Sequence, residues 1–297
     1  MIRFFRILIA VLVLVSSTAK ASEIPIEGIA HVAFQSSSLE RSRAFYTGFV
    51  GFEYSFAVSE KSEAWYLKVN DDQFVKLISK QGQTSDDRLV EIALKVSDAK
   101  ETFNILKQKG LEPTKLIKRK DGTMATTVRD PDNHVIAFVE YTPKSLQSRS
   151  VGKNLGARRI AQRLWRASLT IKDESKSHEF YSTLLGFEEH WRGIWPHDQS
   201  SESVHLQLPG ARGDLLEYVL VEDTPTRDQL ASMHHAGYQT EDVLAVHEQT
   251  GKFGRPRLEK YMVQTDALGR PFFNLYCTDE VRVEIMQATS SPLLSAK

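Results

Sequence analysis

The chain repeats itself. Phe45-Tyr46 followed by Gly51-Phe52-Glu53 returns as Phe180-Tyr181 followed by Gly186-Phe187-Glu188, displaced by 135 residues at both points (180 − 45 and 186 − 51). Equal spacing at two separate motifs means one structural unit used twice, so the chain cannot be built around a single unrepeated core. Around each motif the apolar residues share a helical face, Leu39, Phe45 and Phe49 in the first copy and Phe180 and Leu184 in the second. Gly51 and Gly186 stand where a helix ends in the left-handed region. Each copy therefore reads as strand, helix, glycine stop, strand. A weaker copy follows inside each half: Val90 to Asp98 runs into a helix that ends at Gly110, and His234 to Asp242 corresponds to it at an offset of 144 (242 − 98). The closing strands, Val135 to Tyr141 and Val281 to Gln287, are each introduced by an acidic turn, Asp130-Pro131-Asp132-Asn133 and Thr278-Asp279-Glu280. The expected fold is α+β, with tandem paired-βαβββ units, each an open half-barrel of mixed sheet flanked by helices.

The repeat sets the boundaries. A first unit spans residues 22–142 and a second 164–290, joined by the polar, basic stretch 143–163, which reads as a solvated linker, and followed by a tail, 291–297. Residues 1–21 precede the repeat with Arg3 and Arg6, an apolar run from Ile7 to Val15 and small residues up to Ala21, the layout of a cleavable signal peptide. That run falls short of the roughly 20 residues a spanning helix needs. The expectation is a periplasmic or secreted protein, not membrane-bound once the signal is removed. A lone cysteine, Cys277, leaves no intramolecular disulfide. Lysine plus arginine equals aspartate plus glutamate at 38 each, so no overall field attracts nucleic acid. A small-molecule partner is the expectation that is left. No phosphate-binding glycine loop, Gly-x-Ser-x-Gly elbow or Cys-x-x-Cys pair is present.

His31-Val32-Ala33-Phe34 with Phe45-Tyr46 and Gly51-Phe52, the Asp130-Pro131-Asp132 turn and the closing Val283-Glu284-Ile285-Met286 resemble the vicinal oxygen chelate superfamily. That superfamily includes glyoxalase I, extradiol dioxygenases, fosfomycin-resistance enzymes and bleomycin-binding proteins. The resemblance covers nearly the whole chain after residue 21. It implies that each unit presents four side chains to one concavity, from its first, fourth, fifth and eighth strands. In the first unit these positions hold His31, Lys76, Glu91 and Ala137. The last-strand ligand is missing and a lysine stands where a carboxylate would, so this pocket reads as metal-free. Glu140 lies three residues beyond Ala137, on the opposite strand face.

In the second unit the matching positions hold Arg166, Glu217, His235 and Glu284. Two carboxylates and an imidazole imply a divalent ion, Zn, Mn, Fe or Ni, held by Glu217, His235 and Glu284, with His234 a rival in register. Arg166 stands where the superfamily usually has histidine or glutamine. It reads either as a clamp for a substrate carboxylate or as the internal ion pair of a barrel that has lost its metal. Trp191, Trp195, His190, His197 and His205 gather near the second strand of this unit, as pocket mouth or as ordinary packing.

The resemblance then implies a metal-dependent enzyme of isomerase or lyase type, with the ion stabilising negative charge on adjacent substrate oxygens and Glu217 as general base. An extradiol-type dioxygenase is a further alternative, disfavoured because those enzymes use two imidazoles with one carboxylate. The rival from another class is a metal-free small-molecule-binding protein of the bleomycin-resistance type, in which Arg166 and Lys76 meet the acidic groups of a ligand. A homodimer is compatible with either.

Overall fold

The computed structural model describes residues 23–58, 64–79, 87–195, 198–210, 212–251, 262–277 and 279–288, with the side chains of 195, 198–200 and 228 left out. The expected signal peptide and tail lie outside the described residues. Two copies of one arrangement are present, as the repeat requires. In the first unit β1 (Ile26–Ser36), a helix α1 (Leu39–Phe45), β2 (Glu53–Ala57), β3 (Ala64–Lys68) and β4 (Phe74–Ser79) form one module. β5 (Leu89–Val96), α2 (Ala99–Gln108), β6 (Ile117–Lys118), β7 (Met124–Arg129) and β8 (Val135–Glu140) form the next. The sheet order is β2-β3-β4-β1-β5-β8-β7-β6. β1 runs parallel to β4, β5 parallel to β8, and the two modules join antiparallel through β1 and β5.

The second unit repeats this order with β9 (Arg163–Ile171), α4 (Glu174–His178), β10 (Glu188–Trp195), β11 (Asp198–Gln207) and β12 (Leu215–Leu220). It continues through α5 (Arg227–Met233), β13 (Ala236–Thr240), α6 (Val243–Gly251), β14 (Gln264–Thr265), β15 (Pro271–Tyr276) and β16 (Arg282–Gln287). Local sequence explains the helix ends. Ser38 and Asp173 cap α1 and α4 by accepting from the N–H groups of Arg41 and Lys176. Both helices then widen into a π turn, Tyr46–Val50 and Glu179–Leu184, a shared irregularity that places Tyr46 and Tyr181 in the core. Gly51, at φ 78°, takes the left-handed stop, and the Arg158 carbonyl lies where a Cβ would stand.

The units share one hydrophobic core, and reciprocal contacts lock them together. The Asp132 carboxylate of the first acidic turn accepts from the N–H of Lys172, just beyond β9, and Asp279 of the second accepts from the N–H of Ser37, just beyond β1. Ser37 and Lys172 are themselves equivalent at the repeat offset of 135 (172 − 37). Gln73 bridges the seam by donating to the carbonyls of Ile29 and Leu164 and accepting from the Leu164 N–H.

The connector is more ordered than its polar composition implied. It carries a short helix, α3 (Leu146–Arg149), and buries Ile160 and Ala161. Buried Lys68, ion-paired with Asp71 at 2.6 Å, also donates to the carbonyls of Ser150 and Lys153, so this stretch completes the hydrogen bonding of a buried ammonium. Of its basic residues Lys153 and Arg158 are solvated, whereas Arg163 begins β9 and pairs with Asp214. Among the described residues no helix is long and apolar enough to cross a membrane.

Candidate functional site

In the first unit Ala33 of β1 is paired with Lys76 on one side and Glu91 on the other, which puts both side chains on the same sheet face as His31. The three expected pocket residues therefore meet. Glu91 is buried and takes all the partners on offer: His31 Nε2 at 2.9 Å, Lys76 Nζ at 2.6 Å and a two-pronged contact from Arg119 at 3.0 and 3.1 Å. Burial pushes its carboxyl up, but Lys76, His31 and Arg119 outweigh that and hold it well below the usual range. Ala137 lies in the same sheet and offers no ligand, while Glu140, on the other face, accepts from the first N–H of α2. Aromatic rings pack over the group, with Tyr66 edge-on to His31 and stacked on Phe56. Arg119 was not singled out by sequence because it lies outside the strand positions.

The second unit inverts this arrangement. Arg166 on β9 is fully buried, and its guanidinium bonds to Glu284 and lies 3.4 Å from Glu217. Gly237, its neighbour on β13, leaves room for the side chain to lie flat: a Cβ there would sit 3.3 Å from the Arg166 Cβ and 3.6 Å from a Glu284 oxygen. Burial raises the Glu217 carboxyl, but Arg166 and then His205 overcome it and leave it well below its ordinary value. His205 on β11 lies opposite Glu217 in register, with Nε2 3.1 Å from Arg166 and 3.3 Å from Glu217.

Between the two candidate histidines the structure decides. His235 faces the carboxylates, with Nε2 3.6 Å from Glu217 and 3.8 Å from Glu284. His234 points away, bonded to Thr170 and, at 2.8 Å, to Asp87 of the first unit. His235 donates from Nδ1 to the Met233 carbonyl, which sets the tautomer, and Nη2 of Arg282 lies 2.7 Å from its Nε2 and 2.9 Å from its Nδ1. Burial, reinforced by the adjacent Arg282 cation, pushes this imidazole well below its ordinary value and keeps it neutral. Arg282 was missed from the sequence, although it stands two residues before Glu284 and so shares its strand face.

Glu217, His235 and Glu284 do come together, but they do not fit a divalent ion as arranged. Both carboxylates face the Arg166 guanidinium, and the Arg282 guanidinium lies within 2.9 Å of both nitrogens of the imidazole, so cations the chain itself supplies stand where an ion would have to sit. The expected set is thus assembled in space, with Arg166 and Arg282 standing among its donors. Among the described residues no group of three histidine, cysteine, aspartate or glutamate side chains has metal-binding geometry.

A cavity of about 190 Å³ opens beside this cluster, lined by Glu217, Glu284, Arg282, Asn274, Ser203 and Phe272, with Ser232 and Met233 from α5 at one side. Asn274 is 8% exposed, and among the described residues its Oδ1 and the Nε of Arg282 have no hydrogen-bond partner. Of the expected mouth residues, Trp191 packs against His205 with ring centroids 4.8 Å apart and His190 is exposed. The side chain of Trp195, and His197, lie outside what is described.

Residues 28–138, almost the whole first unit, match the model of the Glyoxalase/Bleomycin resistance protein/Dioxygenase superfamily. The chain has the vicinal oxygen chelate fold. Solved structures extend that fold across both units. Catechol 2,3-dioxygenase matches with a TM-score of 0.67 at 15% identity, covering 92% of this chain and 91% of its own. A Pseudomonas 2,3-dioxygenase, LapB, matches at 0.65 and 14% identity, covering 93% and 97%. Homoprotocatechuate 2,3-dioxygenase from B. fuscum, as a variant, matches at 0.65 and 18%, covering 92% and 75%. No curated protein sequence matches the chain. At these identities the likeness is one of fold.

Proposed function

We propose that the second unit of this vicinal oxygen chelate protein is a metal-free binding site for a small, uncharged molecule carrying hydroxyl or amide groups. The carrying observation is Arg166, which lies fully buried between Glu217 and Glu284 where a chelated ion would need their oxygens. Charge then balances within the site. Arg166 and Arg282 offset Glu217 and Glu284, and burial keeps His205 and His235 neutral, so a charged ligand would leave an uncompensated charge in a low-dielectric pocket. A hydroxyl or carboxamide can donate to Asn274 Oδ1 and accept from Arg282 Nε. The leader-like residues 1–21 support action outside the cytoplasm.

The fold likeness to dioxygenases over nine-tenths of the chain favours a second reading, metal-dependent chemistry at the same cluster. In that reading Glu217, His235 and Glu284 exchange Arg166 and Arg282 for an ion. Elemental analysis after incubation with Fe²⁺, Mn²⁺ and Zn²⁺ separates the two. No stoichiometric metal in the parent or in Glu284→Ala is the expected result. One ion per chain in the parent, lost in Glu284→Ala, would sink the metal-free reading and carry the other.

A further inference from the structure

A larger cavity, about 520 Å³, lies outside either concave face, where the two units meet. Its walls are equivalent positions of the repeat. Gln35 and Thr170, the penultimate residues of β1 and β9, are 135 residues apart (170 − 35), while Val90 and His234 are 144 apart (234 − 90), so the cavity straddles the pseudo-twofold axis between the copies. The copies differ most in the polar groups they bring to it. His234 is held by Thr170 and Asp87 and packs edge-on against His134, with centroids 5.1 Å apart. The His134 side chain is 10% exposed, and its Nδ1 bonds at 2.8 Å to Asp130, which is itself held by the Tyr181 hydroxyl at 2.7 Å. Among the described residues Nε2 of His134 has no hydrogen-bond partner, and it can donate to a carboxylate when the ring is protonated. Burial lowers the affinity of this imidazole for a proton, but the Asp130 carboxylate outweighs it and raises it.

Two cations stand at the rim. Arg129 donates to the Asn133 carbonyl and Lys172 to Thr224, and among the described residues neither has a carboxylate within ion-pair distance. The acidic groups nearby are already committed: Asp87 to His234 and the Leu89 N–H, Asp132 to the Lys172 N–H, and Asp130 to His134. Ile78, Leu89, Val135, Pro225 and Leu230 supply an apolar wall to the same cavity. We propose that this cleft is a second ligand site, for a small carboxylic acid whose carboxylate meets Arg129, Lys172 and His134 and whose hydrocarbon or aromatic body fills the apolar wall. Its volume falls in the usual range for small-molecule pockets, roughly 300–1,000 Å³. The site is independent of the concave cavity of the second unit, which is lined by different residues.

Octanoate and benzoate, each beside its amide, are the probes, titrated calorimetrically into the full chain. At least one acid is expected to bind saturably at one site per chain, and its amide at least about ten-fold more weakly, the usual cost of losing a charge-assisted contact. Arg129→Gln and Lys172→Gln, both at exposed positions, are each expected to weaken it by a similar factor, while Arg282→Gln leaves it unchanged. Absence of saturable binding by both acids, equal binding in Arg129→Gln, or loss of binding in Arg282→Gln would overturn the proposal. The last outcome would move the ligand to the concave cavity and speak for an acidic ligand there instead.

Discussion

The two units fold alike and solve the same electrostatic problem with opposite signs. In the first, one carboxylate, Glu91, is surrounded by Lys76, Arg119 and His31. In the second, one guanidinium, Arg166, is surrounded by Glu217, Glu284 and His205. The partners in the first unit keep some contact with water, the side chains of Lys76 and Arg119 being 12% and 17% exposed, whereas Arg166 and both of its carboxylates are sealed. A repeated fold thus preserves the inward positions without preserving their chemistry, because the sheet dictates where a side chain points and only charge balance limits what it can be.

Arg166→Met strikes the more sealed centre and is expected to have the largest effect. It leaves Glu217 and Glu284 buried against each other without their cation, a loss of about 3–5 kcal/mol. Urea unfolding measures it; a loss as small as that of a surface arginine would show that the second cluster is hydrated and that the contrast between the units is false.

Glu91→Gln tests the other side. It removes the carboxylate but leaves Lys76 and Arg119 able to turn toward solvent, so the expected cost is about 1–3 kcal/mol, below that of Arg166→Met. The reverse order in the same unfolding experiment would break the comparison.

Acid should separate the units more gently. His31 in the first unit and His205 and His235 in the second have depressed proton affinities, with burial the leading cause in each. The unfolded chain therefore binds more protons than the folded one, and the stability these imidazoles contribute is present above about pH 6.5 and lost as pH falls below it. His134 in the first unit has the opposite sign: its affinity is raised, so its contribution is full below about pH 6.5 and lost as pH rises through its folded value. Hydrogen exchange followed from pH 7.5 to 5.5 is expected to show the second unit losing protection first, by about 1 kcal/mol for each additional neutral imidazole. Equal loss in both units would mean that the shared core couples them too tightly for local chemistry to matter.

Much of this was legible before any coordinates. The 135-residue offset fixed the duplicated topology, and Asp98, Gly51 and Gly110 marked helix ends where the structure has them. Strand alternation placed Glu140 away from Ala137, and resemblance to the superfamily placed Glu217 and Glu284 in one concavity, where the structure brings them together. Alternation could not choose between His234 and His235, because the chain turns out of α5 there and enters β13 only at Ala236, so the pattern has no fixed origin. Arg119 and Arg282 reach their partners with long side chains, from beyond β6 and from the start of β16, and a pattern that reads strand centres passes over both. The cleft at His134 escaped for another reason: its walls come from residues far apart in sequence that meet only when the copies pack.

The sequence by itself determined two units and the succession of strands and helices within each, since period and spacing are properties of the backbone that survive any change of partner; the inward positions came from resemblance to a known family. Only the tertiary structure decided what those residues do. Whether Arg166 clamps a ligand or neutralises its own carboxylates depends on ångström distances to Glu217 and Glu284 across strands up to 118 residues apart, and Coulomb energies in a buried site turn on distances that no linear pattern encodes.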